Sequence, residues 1–130
     1  MVNLLLDTHA LLWFLVDDHH LKPAARQLMA DPMNEVFVSA ASAWEIAIKA
    51  SLGKLTVPPD VATWLPAQLL TTRLTPLPIS VFHAAAVERL PAHHADPFDR
   101  LLIVQAVAEH LTIVTRDPQF QRYEVRLTPC

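Results

Sequence analysis

The stretch HHADPFDRLLIVQA, residues 93–106, decides how this chain folds because it opens an apolar helix with two carboxylates, Asp96 and Asp99. Asp96 is a favourable N-cap, and Pro97 suits the first helical position, where the N–H that proline lacks would be unpaired anyway. Asp99 then falls in the first turn, where a carboxylate complements the positive end of the helix. The residues that follow predict a buried helix: Leu101, Leu102, Val104, Gln105, Val107 and Ala108. The two acids therefore either serve the helix alone or also bind a cation.

The composition limits the class of protein. At 130 residues and 52% hydrophobic content, the chain is long enough to fill a single core. The single glycine, Gly53, excludes a glycine-rich phosphate loop. The single cysteine, Cys130, excludes an internal disulfide or a cysteine metal cluster, and we expect its thiol to be exposed. No apolar run reaches the ~18–20 residues of a membrane span, and the first residues lack a signal peptide pattern, so we expect a cytoplasmic protein.

The net charge of −3 argues weakly against a protein that holds nucleic acid by bulk charge, because phosphate binding normally needs an excess of Lys and Arg. The balance changes if four acids are neutralised by a metal. Nine acids would then remain against ten basic residues, and the exterior would be nearly neutral. A nucleic acid substrate is therefore compatible with this composition.

Acids follow short apolar runs elsewhere in the chain. The run 2–6 ends at Asp7, and the run 111–115 is followed by Asp117, which is the pattern of buried parallel strands. A further strand at 35–39 leads into a helix at 41–52 that carries Glu45. Ligand sites of open α/β sheets form at the carboxyl ends of the strands, so we expect these acids to meet at one edge of a parallel sheet.

Each of these acids also has a purely structural interpretation. Asp7 could only cap the helix that follows it, and Glu45 could only form an i, i+4 ion pair with Lys49, which contributes a few tenths of a kcal/mol. Three apolar residues of the helix at 41–52 recur at helical spacing and are expected in the core: Trp44, Ile48 and Leu52. One acid beside a strand end is routine, but four at the same edge favour a site.

Four carboxylates are thus predicted to lie together: Asp7, Glu45, Asp99 and Asp117. Clustered carboxylates repel one another and are costly to bury, so such a site should either bind a divalent cation or raise the pKa of one acid. Mg²⁺ and Mn²⁺ suit ligands that are all oxygen. A metal held in this way can orient a phosphodiester and activate a water for its hydrolysis.

Two pairs of adjacent histidines carry weaker signals. His19 and His20 lie in a polar turn and predict a solvated loop rather than a zinc site, because adjacent side chains point apart and no third ligand lies at the right spacing. His93 and His94 lie beside the proposed acids and could contact a substrate phosphate. Loop residues without such a role are the more common case.

The remaining chain predicts further helices. One runs from Pro23 to about Ala30, and another follows Asp60, although Pro66 must kink or divide it. The amphipathic surface around Pro66 is the expected partner surface, although Trp and Leu at such spacing more often belong to the core. Ser80 caps a further helix over 81–90, and a last edge strand is expected at 125–127.

Four motifs resemble the PIN-domain ribonucleases of the VapC toxin type: LLDTHALLW (5–13), SAASAWEIAIK (39–49), DPFDRLL (96–102) and VTRD (114–117). The resemblance covers essentially the whole chain and implies one PIN domain over residues 1–130, an α/β fold of three layers with a central, mainly parallel sheet flanked by helices. It also implies a Mg²⁺-dependent endoribonuclease, the toxin of a toxin–antitoxin pair. Such toxins are usually homodimers and are neutralised by a VapB-type antitoxin that covers the active site.

The resemblance also assigns the site residue by residue. Asp7 and Asp99 are implied as direct metal ligands, with Mn²⁺ as a possible substitute for Mg²⁺. The four acids implied as catalytic and metal-binding are Asp7, Glu45, Asp99 and Asp117. Asp96 is a further acid of the third motif, and it is either a ligand or only the helix cap. Thr8 and Thr115 are implied as hydroxyls that support the acids.

Two rival functions follow from the residues. A phosphatase with an aspartyl nucleophile would carry a second Asp two residues after Asp7, where His9 stands, and no helix-borne lysine motif is evident. A PIN-like module that binds RNA or an antitoxin without cleavage is the other alternative. The complete set of acids argues against it, and a cleavage assay distinguishes the two.

Overall fold

A parallel sheet of five strands forms the centre of the molecule in the computed structural model, which describes residues 1–130. The strands lie in the order β3-β2-β1-β4-β5, and every neighbouring pair is parallel. Their bounds are β1 Asn3–Leu6, β2 Glu35–Ser39, β3 Thr75–Leu77, β4 Thr112–Thr115 and β5 Leu127–Pro129. The α/β class predicted from the sequence is confirmed.

Six helices cover the sheet: α1 Thr8–Leu15, α2 Pro23–Ala30, α3 Ala40–Ser51, α4 Val61–Thr71, α5 Val81–Ala86 and α6 Pro97–Glu109. Side chains of β1 alternate between the two faces, because Leu4 and Leu6 belong to one core cluster and Leu5 to the other. The first cluster includes Ile46 of α3, and the second includes Leu102 of α6. Both faces of the strand are therefore covered, which explains why its sequence is continuously apolar.

The strand order reverses between β1 and β4. The chain builds outward from β1 through β2 to β3 on one side, and through β4 to β5 on the other. In open parallel sheets such a reversal leaves a crevice outside the carboxyl ends of the two central strands. Asp7 directly follows β1, Asp117 is the second residue after β4, and both line this crevice.

The buried face of α3 differs from the predicted one. Trp44 and Leu52, predicted in the core, are 59% and 62% exposed, and Ile48 is only half-buried. The buried residues of this helix are Ala41, Ser42, Glu45 and Ile46. With successive residues about 100° apart around the axis, these four residues form one continuous arc of the helix, and Trp44 lies outside that arc on the solvent side. The prediction of the Trp44 face as core was wrong.

The helix α4 is not divided at Pro66 but continues from Val61 to Thr71. Proline removes one hydrogen bond to the carbonyl four residues earlier, and the burial of Leu65 and Leu69 keeps the helix in place. The helix predicted over 81–90 is shorter, since α5 ends at Ala86 and a 3-10 turn follows at Val87–Arg89.

The end of the chain also departs from the prediction. The last strand lies at Leu127–Pro129 rather than at 125–127, and it pairs in parallel with β4. This pairing brings Cys130 into the first core cluster, where it is 1% exposed, so the expectation of an exposed thiol was wrong. Burial raises the pKa of this thiol to about 11. None of the helices has the length and apolar character needed to cross a membrane.

Candidate active site

The acids predicted from the sequence line one cavity of about 120 Å³ outside the carboxyl ends of β1 and β4. No hydrophobic residue lines it. Its lining residues are Asp7, Thr8, His9, Glu45, Lys49, His94, Asp96, Asp99 and Asp117. The structure therefore brings together all five acids that the sequence singled out, from four separate segments of the chain.

Asp7 is fixed through both carboxylate oxygens. Its Oδ1 accepts a hydrogen bond of 2.8 Å from the N–H of Ala10, which makes Asp7 the N-cap of α1. Its Oδ2 accepts a hydrogen bond of 2.6 Å from the Thr115 hydroxyl at the end of β4. Burial raises the pKa of Asp7, while these two hydrogen bonds act in the opposite direction. Asp7 is therefore both a helix cap and a constituent of the site.

Glu45 likewise satisfies both interpretations made from the sequence. Its Oε1 accepts a hydrogen bond of 2.6 Å from the Thr8 hydroxyl, and its Oε2 lies 2.6 Å from Nζ of Lys49. The ion pair with Lys49 does exist, but the Glu45 side chain is only 6% exposed, whereas that of Lys49 is 43% exposed. The hydrogen bond to Glu45 raises the pKa of Lys49. Lys49 therefore stays protonated and places a positive charge at the edge of the cavity.

At the start of α6, Asp96 caps the helix and Asp99 extends into the cavity. Oδ1 of Asp96 accepts hydrogen bonds from the N–H groups of Phe98 at 2.8 Å and Asp99 at 3.2 Å, so the predicted N-cap is present. The Asp99 side chain is 16% exposed and points into the cavity. Its pKa is raised to about 6, mainly by burial and also by the neighbouring charges of Asp96 and Asp7, while a hydrogen bond with His94 acts in the opposite direction.

Asp117 caps the 3-10 turn at Pro118–Arg122, since its Oδ1 accepts a hydrogen bond of 2.9 Å from the N–H of Gln119. Its own N–H donates to Oγ1 of Thr115 at 3.0 Å. The Thr115 hydroxyl therefore connects the two acids at the ends of β1 and β4. Thr8 and Thr115, which the resemblance implied as supporting hydroxyls, both contact acids of the site.

His94 had no firm role predicted from the sequence, yet it lines the cavity. Its Nε2 lies 2.8 Å from Oδ2 of Asp99 and 4.0 Å from Oδ2 of Asp117. The adjacent His93 is exposed. In the sequence, His94 lies two residues before the DPFD motif, and this position was the only sign of a role in the site. It does not show which of the adjacent residues His93 and His94 faces the cavity.

The donor set fits a divalent metal. Five carboxylates share the cavity wall with one lysine and two histidines, and burial raises the pKa of both Asp7 and Asp99. A bound cation would stabilise the ionised form of these two acids. Carboxylate oxygens are the ligands that Mg²⁺ and Mn²⁺ prefer. A second group with suitable spacing, Asp18 with His19 and His20, is largely exposed, in keeping with the predicted solvated loop.

Comparison with known proteins shows the same family that the motifs indicated. The family model for the PIN domain matches residues 4–125. Ribonuclease VapC22 of Mycobacterium tuberculosis is 29% identical over 124 residues, which cover 95% of this chain and 93% of that protein. Ribonuclease VapC16 of the same organism is 40% identical over 60 residues, which cover 46% of this chain and 43% of that protein.

Solved structures show the same fold. A crystal structure of VapBC2 from Rickettsia felis bound to a promoter DNA fragment matches with a TM-score of 0.73 at 18% identity, covering 98% of each chain. A crystal structure of DNA-bound VapBC from Salmonella typhimurium matches with a TM-score of 0.72 at 17% identity, covering 99% of this chain and 98% of that chain. These likenesses support the three-layer arrangement predicted from the sequence.

Proposed function

The chain belongs to the PIN domain family, and from that premise we propose that it is a Mg²⁺-dependent endoribonuclease, formed by one domain over residues 1–130. The observation that carries this proposal is the convergence of five carboxylates from four chain segments on one small polar cavity. Two relatives that are named ribonucleases support RNA as the substrate. Together these features favour hydrolysis of phosphodiester bonds in cellular RNA.

Each acid has a proposed role in this reaction. Asp7 and Asp99 would bind the metal directly, with Glu45 and Asp117 completing the acidic site and Asp96 adding its carboxylate to the cavity wall. The bound metal would polarise the phosphate of the substrate and activate a water molecule for the attack. The Thr115 hydroxyl holds Asp7 in position, so the site is arranged before a substrate arrives. Mn²⁺ fits the same donor set.

We propose that the protein is the toxin of a VapBC-type pair and that its antitoxin binds an apolar groove between α3 and α4. The groove has a volume of about 740 Å³, and two of its large residues, Trp44 and Leu70, are 59% and 83% exposed. The helix α3 also carries Glu45 and Lys49, so an occupant of the groove lies next to the acidic cavity. Both structural neighbours described above are VapBC proteins.

We further propose that the toxin acts as a homodimer in the cytoplasm, where its RNA substrates are found. Light scattering of the purified chain, alone and with its antitoxin, measures both states. A monomer at micromolar concentration would contradict the proposed homodimer without affecting the assignment of the cavity.

Cleavage of total cellular RNA by the purified protein tests the activity. We expect discrete fragment ends that require Mg²⁺, disappear with excess EDTA and fall by at least about a thousandfold in Asp7→Asn, since a metal ligand is lost. The variant Asp31→Asn changes an exposed acid and is expected to cleave normally. Undiminished cleavage by Asp7→Asn and Asp99→Asn, purified free of host nucleases, would refute the site. Metal binding without any cleavage would favour the non-cleaving binding module.

A substitution in the groove tests the partner surface. We expect Leu70→Asp to weaken binding of the antitoxin at least tenfold, because it places a charge on the apolar surface, while RNA cleavage by the free toxin is unchanged. Val107→Asp is the matched control, since Val107 is 54% exposed on α6, outside the groove. Equal affinities for both variants and the parent protein, measured by calorimetry, would place the antitoxin elsewhere.

A further inference from the structure

His94 brings a nitrogen atom among the carboxylates of the cavity. Its side chain is 16% exposed, as is that of Asp99, and its Nε2 lies 2.8 Å from Oδ2 of Asp99. Oδ2 of Asp117 lies 4.0 Å from the same nitrogen. These three atoms come from two segments that the sequence separates by some twenty residues.

The loop at 91–95 that carries His94 is fixed by hydrogen bonds from two other elements. The N–H of His94 donates to the Tyr123 hydroxyl at 2.9 Å, and that hydroxyl donates to the carbonyl of Pro91 at 3.0 Å. Arg100 of α6 also donates to the carbonyl of Pro91, at 3.0 Å. Tyr123 is 7% exposed, so this support is part of the packed protein. The backbone of His94 is therefore held in one position.

The distances from His94 match those between ligands of one octahedral metal ion. For ligand bonds of about 2.1 Å, two ligand atoms at right angles lie about 3 Å apart, and two on opposite sides lie about 4.2 Å apart. The observed separations of 2.8 Å to Asp99 and 4.0 Å to Asp117 are close to this range, and the three atoms all lie within 4.8 Å of one another. The three atoms can thus face a common ion with only small movements.

We propose that His94 is a direct ligand of the catalytic metal through Nε2, alongside Asp99 and Asp117, and that it makes the site favour Mn²⁺. This inference rests on the proposed metal-dependent function. Imidazole nitrogen suits transition metals, whereas Mg²⁺ prefers oxygen ligands, so His94 contributes more to the binding of Mn²⁺ than to that of Mg²⁺. Nε2 would bind through its lone pair, so a neutral His94 would carry its single ring proton on Nδ1 and the hydrogen bond between Nε2 and Asp99 would be given up.

Pulsed electron paramagnetic resonance of the full-length protein loaded with Mn²⁺ tests the ligand directly. We expect modulation from a coordinated ¹⁴N nucleus in the parent protein, replaced by the ¹⁵N pattern when the histidines are labelled with ¹⁵N. The labelled protein has the native sequence, so this result does not depend on the folding of a variant. The modulation should vanish in His94→Gln and persist in His93→Gln and His9→Gln, which alter an exposed neighbour and another histidine of the cavity wall.

Calorimetric titration with each metal gives a second readout that does not depend on activity. We expect His94→Gln to weaken Mn²⁺ binding at least tenfold and Mg²⁺ binding by less than about threefold. Bound Mn²⁺ without ¹⁴N modulation in the parent protein, or equal losses for the two metals, would refute His94 as a ligand and leave the acidic metal site intact. Absence of any metal binding by the parent protein would instead refute the proposed function itself.

Discussion

At the scale of single residues, capping and site formation are not alternatives in this protein. Asp7, Asp96 and Asp117 each use Oδ1 to accept hydrogen bonds from the N–H groups of a helical turn. A carboxylate held by one oxygen has few rotamers left, so its second oxygen is aimed in a defined direction. For Asp7 that oxygen meets Thr115, and for Asp117 it lies near His94. Local helix chemistry thereby arranges a tertiary site.

Asp99 should make metal binding depend on pH near 6. Burial raises its pKa to about 6, above the ordinary value of 3.8, so a proton competes with the metal for this carboxylate at mildly acidic pH. Below pH 6 we expect Mg²⁺ affinity to fall about tenfold for each pH unit, whereas Asp99 itself contributes no further change above pH 7. Calorimetric titration between pH 5 and pH 8 measures this dependence. Constant affinity down to pH 5 would contradict the assignment of Asp99 as a ligand.

At the scale of elements, α6 connects the site to the packing of the molecule. Its first turn carries Asp99, and its middle carries Gln105, which is fully buried. The amide of Gln105 accepts a hydrogen bond of 2.5 Å from the Ser39 hydroxyl and donates one of 3.1 Å to the carbonyl of Pro78. These contacts tie α6 to the end of β2 and to the segment after β3. The position of Asp99 is therefore linked to the rest of the sheet.

Replacing this amide should destabilise the protein. Gln105→Leu replaces the amide with an apolar side chain and leaves the buried Ser39 hydroxyl without its acceptor. A buried polar group that loses its partner costs about 1–3 kcal/mol, so we expect the free energy of unfolding to fall by that amount. Val107→Ala, on the exposed side of the same helix, should change it by less than about 0.5 kcal/mol. Urea unfolding of both variants checks the difference, and equal stabilities would contradict it.

At the scale of the whole molecule, the candidate site joins the two ends of the chain. Asp7 and Thr115 are 108 residues apart in sequence, yet their side chains are hydrogen-bonded because β1 and β4 are neighbours. Glu45 and Asp99 reach the same cavity from helices on opposite faces of the sheet. A cation bound there would therefore hold four segments together and offset the mutual repulsion of their carboxylates.

A bound metal should consequently stabilise the folded protein. At a metal concentration one hundred times the Kd we expect about 2.7 kcal/mol of additional stability, seen as a rise in the unfolding temperature that EDTA reverses. Asp99→Asn should unfold at a temperature no lower than the parent protein in EDTA, because a buried carboxylate with a raised pKa is lost. The same variant should gain little from metal. Equal metal-induced shifts in both proteins, followed by calorimetry, would place the ion elsewhere.

Features that depend on local chemistry could be predicted from the sequence alone. The apolar runs predicted β1, β2 and β4, and the caps at Asp7, Asp96 and Ser80 predicted where helices begin, because a cap acts through hydrogen bonds a few residues away. The acids beside these strands and caps could be singled out for the same reason.

Long-range packing, in contrast, selects which sides of the helices and strands face one another. Trp44 and Glu45 are both compatible with the helix at 40–51, and the packing of that helix on the sheet selected which one is buried. In the same way, the hydrogen bond to Tyr123 set the position of His94, and the pairing of β5 with β4 buried Cys130. These outcomes depend on contacts between residues far apart in sequence. Such contacts form, and contribute to stability, only when the helices and strands pack together.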